Sequence, residues 1–145
     1  MRFRTLVIFA LIAVFVAGVF LQAQGTIEIR AASSTAVAGW QRVTADAGEA
    51  IWVAPTASLT SADFAPSVSH TKRDGRDAVG VVFTAEGARK MRALSAAQTN
   101  QRIAVLLDGK LLWAPIVRST IDREAQLTGL SPDQAQRLVA ALQRP

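Results

Sequence analysis

The sequence predicts an α+β fold: a two-layer sandwich of one mostly antiparallel sheet with two main helices packed on it, plus one N-terminal hydrophobic helix. Strand–turn–strand patterns recur around Lys72–Arg76 and around Asp108-Gly109, as antiparallel hairpins require. Two helical segments, each behind a capping residue (Thr84 and Ser131), are separated by groups of strands and not by single ones. That order fits a layered α+β sandwich better than a repeated βαβ fold.

The N-terminus comes first. Arg2 and Arg4 precede sixteen residues, Leu6 to Leu21, without a charged or hydrogen-bonding polar side chain. A basic flank and an apolar run of this length read as a segment that enters or crosses a membrane with its N-terminus held in the cytoplasm. Cleavage after Ala23 would place Leu21 where a small residue is preferred, which favours an uncleaved anchor over a removed signal. The expected organisation is therefore a membrane anchor or signal segment at 1–24 and a single exported domain at 25–145. On this reading it is expected to be a single-pass membrane protein with its C-terminal domain exported, or free outside the cytoplasm if the signal is cleaved.

In the exported part, Thr26-Ile27-Glu28-Ile29-Arg30 alternates with period two and reads as a strand, and Ala31–Ala38 as a loop. Ile51–Ala54 is an apolar run ended by Pro55, and Leu59–Phe64 fits one helical turn before Pro66. Val68–Thr71, the turn Lys72–Arg76 and the returning strand Ala78–Phe83 make the first hairpin. Thr84 caps a helix that places Ala88, Met91, Leu94 or Ser95, and Gln98 on one side and Arg89, Lys90 and Arg92 on the other, ending near Thr99-Asn100. That basic face is a candidate contact for anionic lipid or a partner, although an ordinary solvated face explains it as well. Arg102–Leu107 and Lys110–Trp113 form the clearest hairpin, because Asp108-Gly109 suits a turn with positive φ at both positions. Asp108 therefore does not signal catalysis. Ala114–Val117 continues past Pro115, which suggests a bulge or edge, and Ile121–Thr128 supplies a further strand. Ser131-Pro132-Asp133-Gln134 starts a second helix with Ala135, Leu138, Val139 and Leu142 on one stripe and Arg137 and Arg144 exposed.

Composition narrows the function. The 145 residues are 50% hydrophobic and 19% charged, with 16 basic and 11 acidic side chains and no cysteine. A disulfide framework, a thiolate nucleophile and cysteine-ligated metal are excluded, and the single histidine, His70, cannot build a multi-histidine site. Removing Arg2 and Arg4 leaves 14 basic against 11 acidic groups, too small an excess to argue for nucleic acid. No paired carboxylates, nucleophile with base, phosphate loop or glycine elbow occurs. No cofactor and no catalytic residue is expected, and His70 reads as an exposed polar residue. Of Trp40, Trp52 and Trp113, at least two are expected in the core. Trp113, beside the proline that interrupts the hairpin, is the candidate interaction anchor.

Phe83-Thr84-Ala85-Glu86-Gly87-Ala88-Arg89-Lys90 leads a strand into a helix. Asn100, Arg102-Ile103-Ala104-Val105-Leu106-Leu107-Asp108-Gly109-Lys110 and Leu112-Trp113-Ala114-Pro115-Ile116-Val117 follow in that order, then Ala125-Gln126-Leu127-Thr128-Gly129 with Ser131, Asp133, Gln134, Ala135 and Leu138. In order and composition, this succession resembles the periplasmic head (P1 head) subdomain of the SecD and SecDF protein-export membrane proteins. The resemblance is strongest over 78–143, with a weaker extension at Leu59–Phe64. It marks Thr84, Glu86, Gly87, Ala88, Leu107, Asp108, Gly109, Lys110, Ala114, Pro115 and Gly129 as family-motif positions with mainly structural roles. The family commonly has a small or polar residue where this chain has Trp113, and a glycine-containing turn where it has Ile121-Asp122-Arg123-Glu124. Full-length members have several membrane-spanning helices that use the proton gradient, and one hydrophobic segment without an internal charge cannot act as such a motor. The resemblance implies a non-enzymatic periplasmic module that contacts polypeptides, accessory to protein export or membrane-complex assembly. Its implied partner is a polypeptide or envelope membrane protein, the export translocon among them. The alternative expectation is a structural or regulatory envelope protein that kept the fold without a role in export.

Overall fold

A computed structural model describes residues 25–45 and 48–143. The expectations for the segment 1–24 and for Arg144 lie outside the described residues. In chain order the elements are β1 (Ile27–Ser33), β2 (Gln41–Thr44), β3 (Ala50–Val53), β4 (Leu59–Thr60), a 3-10 turn (Ser61–Asp63), β5 (Phe64–Arg73), β6 (Arg76–Phe83), α1 (Ala85–Ala97), β7 (Arg102–Leu107), β8 (Lys110–Trp113), β9 (Glu124–Leu130) and α2 (Pro132–Leu142).

The expected α+β layering is present, but two parts of the expected fold are corrected. The strands form two antiparallel sheets and not one: a six-stranded sheet in the order β2-β3-β1-β7-β8, with β4 also on β1, and a three-stranded sheet in the order β5-β6-β9. The physical reason is partner choice over long sequence distances. β1 pairs β7 over six residue pairs, from Ile27↔Leu107 to Ala32↔Arg102, and so takes the first strand of the second hairpin away from the first hairpin. The second correction concerns the expected long apolar helix, which is absent from the described residues. Among the described residues no helix is long and apolar enough to cross a membrane, since α1 and α2 have 13 and 11 residues and one buried side each.

β7 shows how sequence sets position. Its continuous run Ile103–Leu107 is buried on both faces, as an inner strand's sequence should be. Ile103, Val105 and Leu107 enter the main core with Val79, Val81, Met91 and Leu138 from β6, α1 and α2. Ala104 and Leu106 face the other way into a second cluster with Ala32, Ile51 and Val53. Val43 of β2 and Leu111 of β8, from opposite ends of the sheet, both pack on that second cluster, so the six-stranded sheet curls over its own face.

Both hairpins turn on an Asp-Gly pair. Asp74 and Gly75 have φ 51° and 76°, and Asp108 and Gly109 have φ 52° and 78°, the left-handed pair that a two-residue turn between twisted strands requires. The first hairpin is longer than expected. β5 begins at Phe64 and runs through Pro66, with a register shift between Phe64 and Val68 that accommodates the missing amide. Where a single helical turn was expected at Leu59–Phe64, a two-residue strand precedes the 3-10 turn. The expected loop at Ala31 is the last part of β1, which continues to Ser33.

β3 and β4 lie on the same side of β1, at Ala32↔Val53 and Ile29↔Leu59, with residues 54–58 looped out between them. Arg30 braces this loop. Its guanidinium donates to the carbonyls of Ala54 and Pro55 at 3.0 and 2.7 Å and to Glu28 Oε2 at 2.6 and 2.9 Å.

Candidate functional site

α1 is fixed by its first turn. Thr84 Oγ1 accepts from the Gly87 amide at 3.0 Å, and the buried side that follows is Gly87, Ala88, Met91, Leu94 and Ser95. The opposite side carries the three expected cations, and each meets a carboxylate. Arg89 pairs with Glu86, Lys90 Nζ lies 3.0 Å from the buried Asp63, and Arg92 lies 2.5 Å from Asp122. The Arg89 guanidinium, hydrogen-bonded to Glu86, holds that carboxyl below its usual 4.5, and Glu86 in turn raises Arg89. Two of the three cations are thus fasteners, while Arg89 pairs within the helix. Lys90 ties α1 to the 3-10 turn, whose Asp63 also accepts from the Thr60 amide at 3.0 Å. Arg92 ties it to the segment that follows β8.

That segment, residues 114–123, is a strap between β8 and β9. At its start, Ala114 and Pro115 carbonyls accept from Arg102 Nη1 at 2.7 Å and the Ile103 amide at 3.2 Å. At its end, Ser95 Oγ accepts from the Ile121 amide at 2.9 Å and donates to the Met91 carbonyl at 2.7 Å. Ser95 is fully buried. Between these anchors the strap roofs an apolar groove of about 400 Å³ between the two sheets, bordered by Trp113, Pro115 and Ile116 on one side and by Glu124–Leu127 of β9 on the other. Its floor is the main core, including Val81, Phe83, Met91 and Ile103.

Trp113 stands at the groove, half-buried against the main core. Trp40 and Trp52, half-exposed as well, belong to neither core cluster, which corrects the expectation of two core tryptophans. Ile116 was not singled out in the sequence, although at 40% exposure it is the large hydrophobic residue most open to solvent among those described. Its signal was available: an isoleucine directly after a proline that breaks a strand.

The family-motif residues divide into turn, cap and packing roles. Asp108 Oδ1 accepts from the Thr26 amide at 2.8 Å and the Asp108 amide donates back to the Thr26 carbonyl at 2.9 Å, so this turn also holds the start of β1. Gly129 has φ 71°, and its carbonyl faces Arg76 Nη1 at 3.4 Å. Leu107 and Ala88 are buried, and Lys110 is exposed at the hairpin. His70 sits 3.4 Å from the buried Asp77. Among the described residues no group of three or more metal-ligating side chains converges.

The family description "SecDF, P1 head subdomain" matches residues 27–144, well upstream of Ala78. The protein translocase subunit SecDF of Thermus thermophilus is 36% identical over 74 residues, covering 50% of this chain and 10% of that relative. The SecD subunit of Acidaminococcus fermentans is 39% identical over 72 residues, covering 49% and 17%. The chain spans less than a fifth of the length of these relatives. A solved structure of SecDF, described as a membrane component that enhances protein export, superposes with a TM-score of 0.63 at 23% identity, over 83% of this chain and 62% of that one. The translocon-associated SecDF of Thermus thermophilus gives 0.54 at 23% identity, over 84% and 20%. At this identity the two superpositions show a shared fold.

Proposed function

Because this chain belongs to the SecDF P1 head subdomain family, we propose that it is a non-enzymatic periplasmic module that contacts polypeptides during export. It acts beside the Sec translocon at the inner membrane, to which residues 6–21 tether it. The observation that carries this reading is the apolar groove between the sheets, with Trp113 and Ile116 at its mouth. A hydrophobic opening flanked by an aromatic anchor suits side chains that an unfolded chain leaves exposed. Trp113 is the primary contact, and Ala114 and Pro115 position it. Lys90 and Arg92 serve the same site at one remove, by holding the 3-10 turn and the strap in place, while Arg89, paired with Glu86 on the same helix, remains on the solvent face.

The test is site-specific photocrosslinking in cells, with the reactive residue at position 116 or, as the control, at position 42 on the exposed strand β2. Exported chains or translocon subunits captured from position 116 and not from position 42 support the reading. Repeated capture of an unrelated envelope complex from position 116 replaces it with the structural alternative. In purified protein, Ile116→Ser should weaken binding of an unfolded polypeptide roughly tenfold, as expected for a central apolar anchor, with little change in the unfolding midpoint. Unchanged affinity would remove Ile116 from the contact.

A further inference from the structure

We propose that the groove takes its polypeptide as an added β-strand, inserted between β8 and β9. This rests on the proposed function and specifies how the chain is held: extended, and bonded through its main chain.

The two walls of the groove are both sheet edges. β8 pairs with β7 and β9 with β6, and neither has a second strand partner among the described residues. Each therefore ends its sheet with main-chain donors and acceptors that no strand uses. Two separate hollows border both strands. Trp113, Pro115 and Ile116 face Glu124–Leu127 across the groove, and further along Leu112 and Trp113 border a hollow with Gly129 and Leu130. The edges thus run in opposite directions, and the four residues of β8 limit their common length to about 13 Å of extended chain. An inserted strand would be antiparallel to one edge and parallel to the other, and would join the two sheets.

Two further observations favour such an occupant. Exposed edges are usually blocked with proline or with charge. The other edge of the small sheet, β5, has Pro66, Lys72 and Arg73, whereas β9 reads Glu-Ala-Gln-Leu-Thr-Gly-Leu, with no proline and no cation. Charge around the groove also balances. Asp122 is paired with Arg92, and the remaining charged groups, Arg118 and Glu124, are opposite in sign. A neutral lining over an apolar floor matches an uncharged extended segment whose alternate side chains point inward, and it does not sort sequences by charge. Affinity then comes from main-chain hydrogen bonds, which every polypeptide offers.

The experiment uses the full chain in detergent and an eight-residue peptide of alternating Val and Thr, compared with the same peptide N-methylated at alternate amides in each of the two registers. Binding is measured by fluorescence anisotropy, and amide hydrogen exchange is followed in the protein. The expected result is slowed exchange in both β8 and β9 on adding the unmodified peptide, with both methylated registers weakened roughly tenfold, because successive amides of an inserted strand bond opposite neighbours; weakening of one register alone would mean addition to a single edge and overturn the insertion. Equal binding of all three peptides overturns strand insertion and leaves the polypeptide-binding reading standing. Failure of every peptide, together with failure of an unfolded protein to bind, overturns both. Protection of β9 that grows with protein concentration and without peptide assigns the edge to a second copy of this chain and overturns the proposal.

Discussion

A β-carbon built on Gly87 would lie 2.1 Å from the Asp63 carbonyl oxygen, a backbone atom that cannot swing aside. Gly87→Ala should therefore push α1 off the 3-10 turn and lower stability by about 2 kcal/mol, within the usual range for overpacking. Chemical denaturation measures it, and a loss below about 0.5 kcal/mol would show that the turn yields. Gly87 was legible as a motif position, but its reason was not, since Asp63 is 24 residues away in sequence. Glu86 gives a second test. Its folded pKa lies below the ordinary 4.5 because Arg89 hydrogen-bonds it. The sign follows: a lowered folded pKa contributes stability above the unfolded value, and that contribution disappears as pH falls through the folded one. A carboxyl titration by NMR should find the Glu86 midpoint below 4.5 and moved upward in Arg89→Ala. An unmoved midpoint would sever the link to Arg89.

Among the elements, the strap depends on a single buried hydroxyl. Ser95→Ala strands the Ile121 amide, which donates to Ser95 Oγ at 2.9 Å, and should cost about 1–3 kcal/mol for an unsatisfied buried donor. Hydrogen exchange at Ile121 should accelerate while exchange within β7 keeps its rate once corrected for global stability. Uniform acceleration instead would mean that the strap and core open together. Lys90 and Asp63 make a similar fastener, half in water: Asp63 is buried, but Lys90 is 37% exposed. The expected cost of Asp63→Ala is accordingly about 1–2 kcal/mol, below that of a fully buried pair, as equilibrium denaturation can check. The hairpins were readable because an Asp-Gly turn is local chemistry. So were the helices, since each brings its own cap: the Ser131 side chain accepts from the Gln134 amide at 3.1 Å, and the Gln134 side chain answers to the Ser131 amide at 3.0 Å. β2 and β4, of four and two residues, were not readable. Strands so short carry no period of their own and exist because β3 and β1 align them.

At the scale of the molecule, the sandwich was legible and its division into two sheets was not. Periodicity identifies strands, but pairing β1 with β7 joins residues 70 to 80 positions apart, and no local pattern encodes that choice. The groove follows from the division, since a continuous sheet would have no gap between β8 and β9. The sequence therefore pointed to Trp113 through its position after a hairpin, whereas the proline before Ile116 hinted only at a broken strand, and the exposure of Ile116 depends on where the strap lies.

The start of β1 has a mechanical meaning. Thr26 is bonded to Asp108 in both directions, and β1 is the middle strand of the six-stranded sheet, with neighbours on both sides. A pull along the chain from residue 25 acts parallel to β1, across hydrogen bonds that run perpendicular to it. Those bonds are loaded in shear and share the force, whereas a pull across the strand would break them one at a time. The fold is therefore a stiff handle for a pull applied at residue 25, and such tension is carried through β7 to β8, the edge that borders the groove.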